Sequence, residues 1–175
     1  MQFFTINEEY LNYLRQFDKN ISYTLNYNKN RPFIGIVLEN EKGFGYYIPI
    51  TSKHKKYSKI TTEPINNGKN GYILFNNMIP VYTYNVKRID LKILKNDTKK
   101  EIGIKLMRQY ELKDINKKEK QIIKKAVNLI DLYSKWSDAH RLKKICCNFP
   151  LLEEKCKEYN SIQIKQQSQE PSISL

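Results

Sequence analysis

The sequence predicts an α+β fold, and three observations predict it. The first half reads as short apolar or aromatic segments broken by Asn, Gly and Pro, the mark of strands and turns. Past Asn96-Asp97, apolar residues recur at helical spacing. Strands gathered in one half and helices in the other indicate α+β rather than alternating α/β. Short antiparallel strands with bends suggest a small, partly open barrel on which the helices pack, most of them from the C-terminal half. A chain of 175 residues suffices for one domain with a real core. That domain is placed at residues 1–160, and the Gln- and Ser-rich tail over 161–175 is expected to be flexible.

Residues 2–6 are short, apolar and aromatic, and read as a strand. Asn7 is a plausible N-cap for a helix to about Asp18, with Tyr10, Leu11, Leu14 and Phe17 at helical spacing. Residues 19–31 are polar, Asn-rich and loop-like. Arg31–Leu38 reads as a buried strand, Glu39–Gly43 as a turn and Phe44–Ile50 as the return strand. Residues 51–60, TSKHKKYSKI, form a basic loop. Tyr72–Phe75 and Ile79–Tyr84 are further short strands, and Val86–Leu94 is a strand or an extended lead-in. Ile102, Leu106, Met107 and Tyr110 mark a helix to about residue 112. Asn116-Lys-Lys-Glu119 resembles a capping box opening the next helix. On that helix Ile122, Ala126, Leu129, Ile130 and Tyr133 share a face. Pro150–Tyr159 is the last helix.

The charge sets the partner class. Thirty-one Lys and Arg against eighteen Asp and Glu give +13 at pH 7. A surplus this large on a small domain draws polyanions, nucleic acid first and an anionic membrane second. The start lacks a basic, apolar leader, and no window approaches a membrane span. Cys146, Cys147 and Cys156 are odd in number and clustered late, which suits buried, reduced thiols in the cytoplasm rather than a disulfide framework or a zinc site.

GxxxxGK[ST], HExxH, GxSxG and GxGxxG are all absent, and no acidic cluster resembles a two-metal site. With only His54 and His140 as histidines, chemistry on phosphates is expected to need no metal and no cofactor. One segment stands out: Thr51-Ser52-Lys53-His54-Lys55-Lys56, two hydroxyls and four basic groups at a strand exit, able to surround a phosphate. A solvated basic turn with local hydrogen bonds from Thr51 and Ser52 is the plainer alternative. Before the buried strand, Arg31 could clamp a phosphate, Tyr27 could stack on a base and Lys29 adds charge. By position Tyr10 has the pattern of a core residue, and His140, in a helical stretch, that of a structural one.

In order, Phe3–Asp18 (FFTI-NE-EYLNYLRQFD), RPFIGIVLE, YYIPITSKHKK, NMIPV and ICCNFPLLEEKCKEY resemble the ToxN/AbiQ family, the toxins of type III toxin–antitoxin systems. The resemblance runs from Met1 to about Tyr159. It implies a barrel similar to the MazF/Kid toxins, decorated with helices. It implies a metal-independent endoribonuclease that leaves a 2′,3′-cyclic phosphate at adenine-containing sites. The implied partner is an RNA pseudoknot antitoxin, cut by the toxin and assembled with it into a closed ring, in phage abortive infection or plasmid maintenance. The implied catalytic set is Thr51, Ser52, Arg31, Lys53, Lys55 and Tyr27, with Tyr10, Lys29, His54 and Lys56 contacting RNA. Where the family has a Lys after Thr-Ser-Pro, this chain reads Thr-Ser-Lys-His-Lys, so Lys53 or Lys55 takes that place. A non-catalytic nucleic-acid-binding barrel explains the charge and the tyrosines equally well, but not the convergence of these residues on one pattern.

Overall fold

The computed structural model describes residues 1–21, 32–36, 43–52 and 58–169. In chain order the elements are β1 (Phe3–Ile6), α1 (Glu8–Arg15), β2 (Phe33–Ile36), β3 (Gly45–Thr51), β4 (Thr62–Pro64), β5 (Tyr72–Leu74), β6 (Ile79–Val81), β7 (Val86–Arg88), α2 (Lys99–Lys117), α3 (Glu119–Lys135), α4 (Arg141–Ile145) and α5 (Phe149–Gln169). The fold is α+β, as the segregation of patterns predicts.

Among the described residues the seven strands form one antiparallel sheet in the order β4-β5-β3-β2-β1-β7, with β6 also on β3. No ladder joins β4 to β7, so the sheet is not closed. Its centre is β3, buried along its whole length. One edge of β3 pairs with β2; the other is shared by β6, opposite Gly45–Tyr47, and β5, opposite Ile50–Thr51. Between those ladders sits Pro49, which has no N–H to give, and the facing chain loops out as a 3-10 turn at Phe75–Asn77. The edge of β3 therefore changes partner just before Ile50.

The core joins the inner faces of β1–β3 and β6 to Leu11 and Leu14 of α1, Ile122, Ala126 and Leu129 of α3, and Phe149, Leu152 and Cys156 of α5. Asn7 caps α1 as predicted, its side chain accepting from the Glu9 N–H. The three thiols are buried and free, and burial pushes Cys156 up to about 11 and Cys146 up to about 12. No helix among the described residues is long and apolar enough to cross a membrane.

The structure corrects three sequence expectations. Asn116 does not cap α3: the cap position is Lys118, without a side-chain bond, and Asn116 Oδ1 instead accepts from the Met1 ammonium at 2.6 Å. The capping box lies earlier, where Thr98 and Glu101 open α2. The helix marked by Leu106, Met107 and Tyr110 runs on past residue 112 to Lys117, with those three side chains exposed and Glu111 and Ile115 buried. The last helix continues beyond Tyr159 to Gln169, since no Gly or Pro interrupts residues 160–169.

Candidate active site

The site is built at the end of β3. Thr51 pairs with Tyr72 of β5 and is only 7% exposed, whereas Ser52, the first residue past the strand, is exposed. β3 is buried on both faces, and Ser52 lies just past Thr51–Tyr72, the last pair of the β3–β5 ladder.

What holds this corner is the β4–β5 turn, Asn66-Asn-Gly-Lys-Asn-Gly71. Asn66, Asn67, Gly68 and Gly71 all have positive φ, the region that Asn and Gly tolerate best. At Gly71 the backbone comes so close that a Cβ would lie 1.8 Å from the Thr51 carbonyl oxygen and 2.9 Å from Ser52 Cα. Only glycine fits there.

The turn is tied to the helices by a charged network. The Asn66 N–H and the Lys118 ammonium both donate to Asp114 Oδ2 at 2.9 Å, and Lys118 also donates to the Pro64 carbonyl at 3.0 Å. Burial works against ionisation of Asp114, but those donors outweigh it and hold the carboxyl below its ordinary range. Glu63 of β4, buried, accepts from Lys125 and Gln121. Glu111, 2% exposed, is raised by burial, which outweighs the Arg108 guanidinium 2.6 Å away and a hydrogen bond from Asn70. Arg108 in turn lies over the Phe3 ring.

Of the predicted site residues, Thr51 and Ser52 come together at this corner. Tyr10 is elsewhere. Its ring is fully enclosed, 5.0 Å from that of Tyr159, and its hydroxyl donates to the Pro80 carbonyl at 2.6 Å. No face is open for a base in this conformation; Tyr10 locks β6 to α1 and α5, and burial holds its hydroxyl far above the usual range. Tyr27, Lys29, Arg31, Lys53, His54, Lys55 and Lys56 lie outside the described residues. The sequence reading passed over Gly71 and the network beneath it. The Asn-Gly spacing of 66–71 is a turn signal, but the partner of that turn is set only by strand pairing.

These features meet the known proteins as follows. Residues 2–157 match the family model described as toxin ToxN, type III toxin–antitoxin system. The chain belongs to the ToxN family. Among its relatives is the endoribonuclease ToxN of Bacillus thuringiensis subsp. kurstaki, 34% identical, with 90% of this chain and 84% of that protein covered. A solved structure concerned with type III systems and selective toxin inhibition by a non-coding RNA pseudoknot superposes with a TM-score of 0.76 at 28% identity, covering 91% of this chain and 97% of the other. AbiQ, a lactococcal anti-phage endoribonuclease of a type III system, superposes with a TM-score of 0.70 at 26% identity, covering 91% and 98%. Members of the ToxN family thus share this arrangement of sheet and helices along nearly the whole chain.

Proposed function

We propose that this endoribonuclease toxin cuts RNA at the end of β3, by attack of the RNA's own 2′-hydroxyl on the adjacent phosphate and without a metal ion. The new bond joins O2′ to phosphorus, the P–O5′ bond breaks, and the products are a 2′,3′-cyclic phosphate and a 5′-hydroxyl. One proton leaves O2′ for a base and one reaches O5′ from an acid; Lys53 and Lys55 are the candidates beside the strand exit. Ser52, with Thr51 at the rim of the sheet, donates to the non-bridging oxygens, and Arg31 and a neighbouring Lys offset the charge that builds there. Tyr27, Lys29, His54 and Lys56 hold the strand through stacking and phosphate contacts. Adenine-containing sites are the expected targets. Tyr10 acts through the core.

The observation that carries this reading is the fixed Thr51–Ser52 corner, pinned by Gly71, from which the basic run 53–56 departs directly. An RNA pseudoknot antitoxin, processed by the toxin and bound in a closed ring of toxin and RNA, suits the net charge of +13. The buried thiols suit the cytoplasm. The MazF/Kid-like barrel would be the parent of the open sheet, and phage defence is the biological role the anti-phage relative suggests.

The test is Ser52→Ala. Ser52 is exposed at a strand end, so the fold should keep its stability within about 0.5 kcal/mol. Cleavage of RNA in excess EDTA should fall on the order of 10²–10³-fold. A folded Ser52→Ala protein that cuts at the wild-type rate refutes the site, and wild-type activity that needs added Mg²⁺ refutes the metal-free mechanism.

A further inference from the structure

The turn that abuts the Thr51 carbonyl is gripped at both ends by carboxylates of α2. At its start the Asn66 N–H donates to Asp114 Oδ2 at 2.9 Å. At its far end the Asn70 side chain donates to the Glu111 carboxyl and accepts from Asn66 Nδ2 at 3.0 Å. Glu111 and Asp114 stand three residues apart on the helix and are therefore neighbours on its surface. The Asn70 amide thus joins the helix to the turn, and the two ends of the turn to each other. The next residue is Gly71, the one pressed against the Thr51 carbonyl.

Stability alone does not call for a carboxylate at position 111. The residue is buried, and one helical turn further on stands the buried Ile115. An apolar side chain would fill such a place without the loss of hydration that a buried charge suffers. Arg108 offsets part of that loss from 2.6 Å. The turn is itself conformationally costly. Asn66 and Asn67 both have positive φ, and residues in that region persist where the surroundings over-determine them. What the Glu111 carboxylate adds is an acceptor at the one point that fixes Asn70, and with it the approach of Gly71 to Thr51.

We infer that Glu111 is a positioning residue for RNA cleavage, which sets the Thr51–Ser52 corner through Asn70 and Gly71. The inference rests on the reading of that corner as the place of cutting. Glu111 is sealed from solvent, so it meets neither RNA nor the reacting phosphate. It acts by holding the turn.

The test exchanges the two partners. In Glu111→Gln the side-chain oxygen still accepts from Arg108, but the nitrogen faces the Asn70 nitrogen, donor against donor. Asn70→Asp sets a carboxylate against the Glu111 carboxylate. The two substitutions together restore every bond: the carboxylate now at 70 accepts from Asn66 and from the amide now at 111, whose oxygen accepts from Arg108. Asn70→Ala cuts the link without touching the helix, and decides the matter if Glu111→Gln does not fold. Each variant is checked by thermal melting and assayed well below its melting temperature, with saturating RNA under single-turnover conditions. Affinity is measured with a 2′-O-methylated RNA, which lacks the attacking hydroxyl. Glu111→Gln, Asn70→Asp and Asn70→Ala should each slow cleavage on the order of 10–100-fold, with affinity unchanged. The exchanged pair should recover most of the wild-type rate. Added to Ser52→Ala, Glu111→Gln should cost little more, because the group that it places is already gone. A merely structural Glu111 would lower the melting temperature without slowing the saturated reaction. Wild-type rates in folded Glu111→Gln or Asn70→Ala, an exchanged pair as slow as its folded single variants, or fully additive losses with Ser52→Ala overturn the inference. Full cleavage by Ser52→Ala sinks the cutting corner itself, whereas a slow Ser52→Ala beside a full-rate Glu111→Gln sinks the positioning role alone.

Discussion

Replacing Gly71 by alanine tests the support of the site most directly. The new Cβ would sit 1.8 Å from the Thr51 oxygen, 2.8 Å from its carbonyl carbon and 2.9 Å from Ser52 Cα. All three are backbone atoms, so no side-chain rotation relieves the overlap; the corner must retreat by about 1 Å. The φ of +105° adds a backbone penalty of about 1–3 kcal/mol for a residue with a Cβ. A displacement near 1 Å at a catalytic group is worth on the order of 10²-fold in rate. Gly71→Ala should thus melt several degrees lower, and when assayed well below its melting temperature it should cut RNA about 100-fold more slowly under single-turnover conditions. Gly103→Ala is the control. It lies in α2 with nothing within 4 Å of its would-be Cβ, so it should gain about 0.5–1 kcal/mol from helix propensity and keep full activity. A folded Gly71→Ala protein that cuts within threefold of wild type would show that the corner beneath Gly71 does not set the geometry of the reaction.

Tyr10→Phe leaves the Pro80 carbonyl without its buried donor, a cost of about 1–3 kcal/mol, so the melting temperature should drop while cleavage at low temperature persists; unchanged melting with lost cleavage would instead put Tyr10 on the RNA. The carboxyl of Asp114 titrates below its ordinary 3.8 in the folded protein. Its stabilising share is complete above the unfolded value and is lost as pH falls through the folded one. Asp114→Asn should accordingly be less stable than wild type near neutrality and lose less stability below about pH 4, as read by urea melts across pH; parallel curves for the two proteins would refute this. Protein co-expressed with its own upstream region should elute as a multimer rich in 260 nm absorbance that loosens in high salt, because released counterions no longer favour phosphate contacts. An RNA-free, non-toxic monomer from that preparation would remove RNA from the mechanism of inhibition.

The sequence by itself determined the fold class, most strand positions, the cap of α1 and the exit of a strand at Thr51–Ser52. These are local matters: side-chain periodicity, capping groups and a strand running into cations are all written in consecutive residues. Residues 66–71 were legible only as a turn, and Leu106, Met107 and Tyr110 marked a helix whose apolar residues the structure leaves exposed. Periodicity reports that a helix has an apolar side but not where along its length a partner stands. Only the tertiary structure decided that Gly71 abuts Thr51, that Asp114 and Lys118 tie the turn to α2 and its C-cap, that Tyr10 is sealed beneath Pro80 and that His140 lines a cleft near β5. Each joins residues far apart in the chain through ladder register and helix packing. The change of partner across Pro49 and the three-residue detour at Phe75–Asn77 go with that register. No window of sequence contains both sides of such a contact, so the packing of the whole chain had to choose it.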